Sequence, residues 1–178
     1  MHEDVKSVLL TQQQIAERVA EMGKEITEDY KGKNLVLVTV LKGAAVFLSD
    51  LMRSIDTHAE IDFMVVSSYG AATSSSGVVR IMRDIEIPLE DKDVLVVEDI
   101  LDSGNTLQYI KEVITGKNPK SIKIATLLNK PARRMAEIEA DYTGFVVPDE
   151  FVIGYGLDYN EKYRNLPYIG ILKPEVYR

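Results

Sequence analysis

The chain has 178 residues, 46% of them apolar, and a formal net charge of −7. That length fits one domain with a sizeable core, and the acidic balance argues against broad, sequence-blind nucleic-acid binding, which rests on a basic surface. Cysteine is absent, which excludes disulfides and thiolate chemistry.

The opening "MHEDVKSVLLTQQQ" lacks the basic start and long apolar stretch of a signal peptide. No apolar run approaches the roughly 20 residues of a membrane span. The expectation is a soluble, cytoplasmic protein with no membrane partner. Thr11 with Gln14 three residues on is a capping box, and Ile15, Val19, Met22 and Ile26 recur at helical spacing until Gly32. "NLVLVTVL", 34–41, reads as a strand covered on both faces. Lys42 and Gly43 follow at once, and "AAVFLSDLMRSI" reads as a helix. A strand is expected at "AEIDFMVVSSY" and a short one near "GVVRIMRDI", with a small-residue loop between them. His2 and His58 sit in no pattern with other ligands, so no base–nucleophile pair can be placed on a histidine.

Next comes "VLVVEDILDSGNTL", 94–107: an apolar strand that ends in three acids and a run of small polar residues. A helix is expected over about 105–115. Pro119 precedes another apolar strand, "SIKIATLLNK", Pro131 starts a short helical stretch, and "GFVVPDEFVIGYGLDYN" supplies further strand-like runs. Apolar strands alternating with helices imply an α/β fold with a mainly parallel sheet. Ligands of such sheets bind outside the carboxyl ends of the strands. Three strands end there in polar clusters: Lys42–Gly43, Ser67–Ser68–Tyr69, and Glu98 through Thr106.

"DSGNT", 102–106, reads two ways. Small residues and a helix start can cradle an anion on backbone N–H groups, with the hydroxyls of Ser103 and Thr106 as further donors. Alternatively, Asp102 or Ser103 caps the helix and nothing more. No Walker-type lysine motif is present, and "GYGLDY", 154–159, lacks the third glycine of a dinucleotide fingerprint. Glu98 and Asp99 repel each other and would repel a bare phosphate. They make sense beside a cation or sugar hydroxyls, and a phosphorylated sugar carrying Mg²⁺ supplies both.

At this point "VLVVEDILDSGNTL" closely resembles the phosphoribosyl-pyrophosphate (PRPP) signature of type I phosphoribosyltransferases. "LKGA", 41–44, resembles the family's pyrophosphate loop, and "SSYG", 67–70, the start of its mobile loop. "LLNKPARR", 127–134, and "DEFVIGYGLDYNEKYRNLPYIG", 149–170, resemble the purine-binding hood of the hypoxanthine-guanine branch. The resemblance implies a single phosphoribosyltransferase domain over 1–178. Its central sheet would be mainly parallel and flanked by helices, with a small hood from the N-terminal residues and about 130–178.

The implied reaction joins a 6-oxopurine to PRPP with Mg²⁺, releasing pyrophosphate. By the same resemblance Glu98 and Asp99 bind the ribose hydroxyls, directly or through metal. Ser103, Gly104, Asn105 and Thr106 hold the 5′-phosphate, and Asp102 is the general base facing the purine. Lys130 reads the 6-oxo group, Phe151 stacks on the ring, and the backbone of Val152 meets its opposite edge. Asp158, placed at the base site, also holds a second metal ion. Lys42, Gly43 and Arg164 contact pyrophosphate. Ser68 and Tyr69 ride on "YGAATSSSG", 69–77, which is expected to close over the site. Ala44 replaces a common second glycine, and Asn105 stands where a basic residue often lies. A homodimer or homotetramer is implied. The rival readings are a xanthine- or guanine-preferring enzyme of the same kind, or a PRPP-binding regulatory protein on the same fold.

Overall fold

A computed structural model describes residues 1–68 and 79–177. The elements are β1 (Val5–Leu10), α1 (Gln12–Asp29), β2 (Leu35–Val40), α2 (Ala45–Ser54), β3 (Ala59–Ser68), β4 (Val79–Arg83), β5 (Asp93–Leu101), α3 (Asn105–Thr115), β6 (Ser121–Asn129), β7 (Tyr142–Val146), β8 (Val152–Ile153), β9 (Ile169–Leu172) and α4 (Pro174–Tyr177). A 3₁₀ turn at Pro131–Arg133 follows β6.

Six strands form the central sheet in the order β4-β3-β2-β5-β6-β7. Every pairing in it is parallel except that of β4 with β3. The middle strands read as unbroken apolar runs because both of their faces are covered. Leu35, Leu37, Leu95 and Val97 meet the apolar stripes of α1 and α2 on one side. Val36, Val38, Val94 and Val96 meet Leu107, Ile110 and Ile114 of α3 on the other. This alternation is the period-two geometry of a strand set against the 3.6-residue period of its helices.

Helix α1 starts as its sequence predicts. The Thr11 hydroxyl accepts the Gln14 N–H at 3.2 Å, and the Gln14 side chain accepts the Thr11 N–H at 2.8 Å. Ile15, Val19, Met22 and Ile26 are all buried.

A second sheet of three antiparallel strands, β1-β9-β8, stands apart from the first. It joins opposite ends of the sequence, with Val5 opposite Leu172 and Val152 opposite Ile171. Its small core holds Val5, Ile153 and Leu172, with Phe151, Tyr159 and Tyr177 against them. The strands β1 and β9 are not predicted from the sequence, and they change how the base-side segment 149–170 is held. Among the described residues, no helix is long and apolar enough to cross a membrane.

Candidate active site

Strand β5 delivers the central residues. Its first five positions are buried, and its ladder to β6 runs through Leu101 and Asn129. The strand therefore stays regular while its residues turn acidic. Glu98 and Asp99 are both partly buried. Burial, and then the charge on Asp99, pushes the Glu98 carboxyl well above the usual range. Burial also lifts Asp99, to about 6, against the opposing pull of the Ile100 amide, its own amide and Arg164; Asp158 adds to the rise. The Ile100 N–H donates to Asp99 Oδ1 at 2.7 Å. A Cβ on Gly43 would strike the other oxygen, Oδ2, so only glycine there lets the 41–44 loop lie against the acid pair. The Leu41–Lys42 peptide bond in this loop is cis.

The loop after β5 is not a side-chain-capped turn. Gly104 occupies the cap position of α3 with φ +83, and no side chain caps the helix. The Ser103 hydroxyl only accepts the Asn105 N–H at 3.4 Å. The first helical bond runs from the Gln108 N–H to the Gly104 carbonyl at 2.9 Å, which leaves the N–H groups of Thr106 and Leu107 for another acceptor. A side chain at Gly104 would collide with Ile138.

Asp102 does no capping either. Its Oδ1 is buried and has no hydrogen-bond partner among the described residues. A buried carboxylate oxygen without a donor is costly, so its orientation calls for a reason. Two cavities of about 270 Å³ each supply one. The first is lined by Gly43, Glu98, Asp99, Ser103, Gly104 and Thr106, among others. The second is lined by Lys130, Phe151, Val152, Leu157, Asp158 and Tyr177, among others. Asp102 and Ile100 line both, and so stand where the two spaces meet.

In the second cavity Lys130 is 6% exposed, and its Nζ donates to the Glu150 carbonyl at 2.8 Å. That bond aims a buried ammonium along the wall that also carries Phe151. On the side of the 41–44 loop, Arg164 bonds the Gly156 carbonyl at 2.8 Å and pairs with Asp158 at 3.2 Å. Glu161 bridges Arg164, at 3.2 Å, and Lys42, at 2.9 Å. Asp158 is further fixed by the Glu161 N–H at 2.8 Å.

The structure thus gathers most of the predicted site residues around two adjoining spaces. Asn105, which starts α3, and Lys42 and Arg164 appear on neither wall. Ser68 ends β3 opposite Val79. Tyr69 and the 69–77 loop fall outside the described residues. Sequence reasoning missed Ile100, an apolar residue between acids that looks like ordinary strand, and Arg134. The Arg134 side chain is 12% exposed. It donates to the carbonyls of Asp102 at 3.1 Å and Ile138 at 2.8 Å, and to Asn129 Oδ1 at 2.5 Å. Together with the Met135 and Ala136 amides on the Ser103 carbonyl, it fixes the loop that carries Asp102. Its only sequence signal was a second arginine beside Arg133.

A doubly covered, mainly parallel sheet with an acid pair and a glycine-started helix at its carboxyl edge defines a class. The chain belongs to the phosphoribosyl transferase domain family, whose sequence profile matches residues 6–160. Within it, the chain is 56% identical over 177 residues to hypoxanthine-guanine phosphoribosyltransferase of Staphylococcus aureus, covering 99% of each. It is also 56% identical to the bifunctional protein TilS/HprT of Listeria monocytogenes, of which it spans 27%. The fold matches the crystal structure of a Staphylococcus aureus hypoxanthine phosphoribosyltransferase with TM-score 0.96, over 100% of this chain and 97% of that one. A mutant hypoxanthine phosphoribosyltransferase of Trypanosoma cruzi, solved as a ternary substrates complex, is 40% identical with TM-score 0.94, over 99% and 100% of the two chains.

Proposed function

We propose that the chain is a purine-salvage enzyme that transfers the phosphoribosyl group of PRPP to hypoxanthine or guanine and releases pyrophosphate. One observation carries the reading: the unpartnered Asp102 carboxylate lies where an anion-type cavity meets an aromatic, lysine-bearing one. A group placed there touches both a sugar and a base. The first-turn amides of α3 and the hydroxyls of Ser103 and Thr106 hold the 5′-phosphate. Glu98 and Asp99 take the ribose hydroxyls. Lys130 donates to a 6-oxo group, which favours oxopurines over adenine, whose 6-amino group is itself a donor. Phe151 supplies the stacking face, Val152 the backbone at the far ring edge, and Lys42, Gly43 and Arg164 the pyrophosphate contacts. Asp102 accepts the proton that the base's imidazole ring loses as its nitrogen bonds to C1 of the ribose. Ser68, Tyr69 and the 69–77 loop belong to the same reading as a cover over the bound PRPP. The three-stranded sheet, with the rest of 130–178, serves as the hood over the base.

The donor set fits Mg²⁺. Among the described residues, no group of three or more acidic, histidine or cysteine side chains is placed to hold a metal. Two raised, partly buried carboxyls beside a phosphate site do suit an ion that keeps waters and shares substrate oxygens. Glu98 and Asp99 would hold one ion and Asp158 a second; bound there, Mg²⁺ would offset the negative charge growing on the leaving pyrophosphate. The same reading places the protein in the cytoplasm as a homodimer or homotetramer.

The test is a spectrophotometric assay with PRPP, Mg²⁺ and hypoxanthine, guanine or xanthine in turn. Turnover with hypoxanthine or guanine is expected. Turnover with none of the three would sink the proposal, and turnover with xanthine alone would replace it by the xanthine-preferring alternative.

A further inference from the structure

The base-side cavity has a wall that the reaction as described does not use. It is Tyr177, on the short helix α4. Tyr177 stacks on Phe151 with ring centroids 4.8 Å apart and planes 23° from parallel. Tyr159 meets Phe151 edge-on, at 5.6 Å and 88°, and meets Tyr177 at 6.5 Å and 66°. Three rings therefore hold one another in offset and edge-to-face arrangements of the kind aromatic pairs favour.

The helix that carries Tyr177 is registered against Phe151 through the backbone. The Leu172 N–H donates to the Phe151 carbonyl at 2.8 Å, and the next residue, Lys173, donates to the Asp4 carbonyl at 3.0 Å. The turn into α4 is thus pinned on both sides. The ring of Tyr177 has little choice about where it meets Phe151.

An aromatic platform that can swing loses rotamer freedom when a ligand stacks on it, and that loss weakens binding. A platform already held by neighbours does not. We infer that Tyr177 is a positioning residue for the purine: it fixes the Phe151 ring in the orientation that stacks on the base, and so sets affinity for the base and not for PRPP. The inference rests on the reading of this cavity as the base site. The glycine-started loop at Gly104 and the acid pair lie outside its reach, because neither Tyr177 nor Tyr159 lines the first cavity.

The test compares Tyr177→Ala, Tyr177→Phe and Val176→Ala. Val176 lies on the same helix and packs in the same small core, but does not line the cavity. Steady-state assays give KM for hypoxanthine and for PRPP, and calorimetry gives the affinity for IMP. Tyr177→Ala is expected to raise the hypoxanthine KM and weaken IMP binding by about three- to tenfold. The PRPP KM should stay within about twofold. Tyr177→Phe keeps the ring and should behave as the parent, and Val176→Ala should leave the base KM unchanged. An unchanged base KM in Tyr177→Ala, or an equal rise in both KM values, overturns the inference while the enzyme reading stands. So does a lowered base KM, since Tyr177 would then be occupying the base's own place. A base KM raised as much by Val176→Ala overturns it too, as a general loss of the helix. A parent protein that neither turns over nor binds a purine nucleotide removes both the reading and the inference.

Discussion

Asp102 shows how much one side chain's surroundings decide. Its backbone carbonyl is held by Arg134, its neighbour Gly104 takes over the helix cap, and its Oδ1 is left without a donor. A capping aspartate would bond the first-turn amides, whereas this one lines both cavities. If it takes the proton from the base, Asp102→Asn should lower kcat by about 10²–10⁴-fold while leaving the KM for PRPP within a few-fold. Pre-steady-state and steady-state kinetics at one pH check this, and near-parental kcat would remove the general-base role. The aspartate was legible from the sequence only as one of two alternatives. What separated them was geometry: the φ of +83 at Gly104 and the bond from Arg134, thirty-two positions along the chain. Periodicity and propensity do not report contacts of that span.

Among the elements, the pairing of β3 with β4 depends on a buried anchor. Asp62 is 4% exposed. Its carboxylate accepts the N–H groups of Glu86 at 2.7 Å, Ile87 at 3.0 Å and Phe63 at 2.7 Å, with Arg83 3.6 Å away. Burial opposes the charge, but the three amides and then Arg83 outweigh it and hold Asp62 below its ordinary value of 3.8. A depressed folded value means that the native state favours the ionised form. The stabilisation is therefore present above about pH 4 and is lost as pH falls through the lowered value. Asp62→Ala leaves three amides without their acceptor and should cost about 2–4 kcal/mol, read as a lower midpoint in urea at pH 7. The difference from the parent should shrink toward pH 2; a pH-independent difference would assign the loss to packing. The strands themselves were legible because β2, β5 and β6 are apolar runs of ordinary length. By contrast β1 and β9 were not. Neither is an unbroken apolar run bounded by turn signals, and the ladder that makes them strands joins Val5 to Leu172, a pairing that no local pattern announces.

For the whole molecule, the acid pair sets function against stability. Glu98 is raised well above its ordinary value and Asp99 is raised from 3.8 to about 6, both chiefly by burial. Raised folded values mean that the native state binds more protons than the unfolded chain. Stability then falls as pH rises from about 4 through 6, and further as Glu98 ionises. In metal-free buffer at pH 7.5 the double variant Glu98→Gln, Asp99→Asn should therefore melt higher than the parent, by about 2–4 °C for each kcal/mol relieved. Mg²⁺ should raise the parent's Tm by more than the variant's. Scanning calorimetry with and without the ion checks both, and a variant that melts lower would show the two acids to be structural. The family and the polar ends of β2, β3 and β5 could be read from the sequence, because those clusters follow recognisable apolar strands. The second sheet, and with it the way Phe151 is held, could not.

The ladder between β1 and β9 also orders events in time. The phosphate side of the site is built from neighbours: β5, the loop at Gly104 and α3 are continuous in the chain. The base side needs Leu172 seated against Val5 and Phe151. A ribosome therefore finishes the turn at Gly104 long before it can finish the wall that carries Phe151 and Tyr177. A nascent chain that has reached residue 168 contains β5, the turn at Gly104 and α3 in full but lacks the strand that pairs with Val5 and bonds the Phe151 carbonyl.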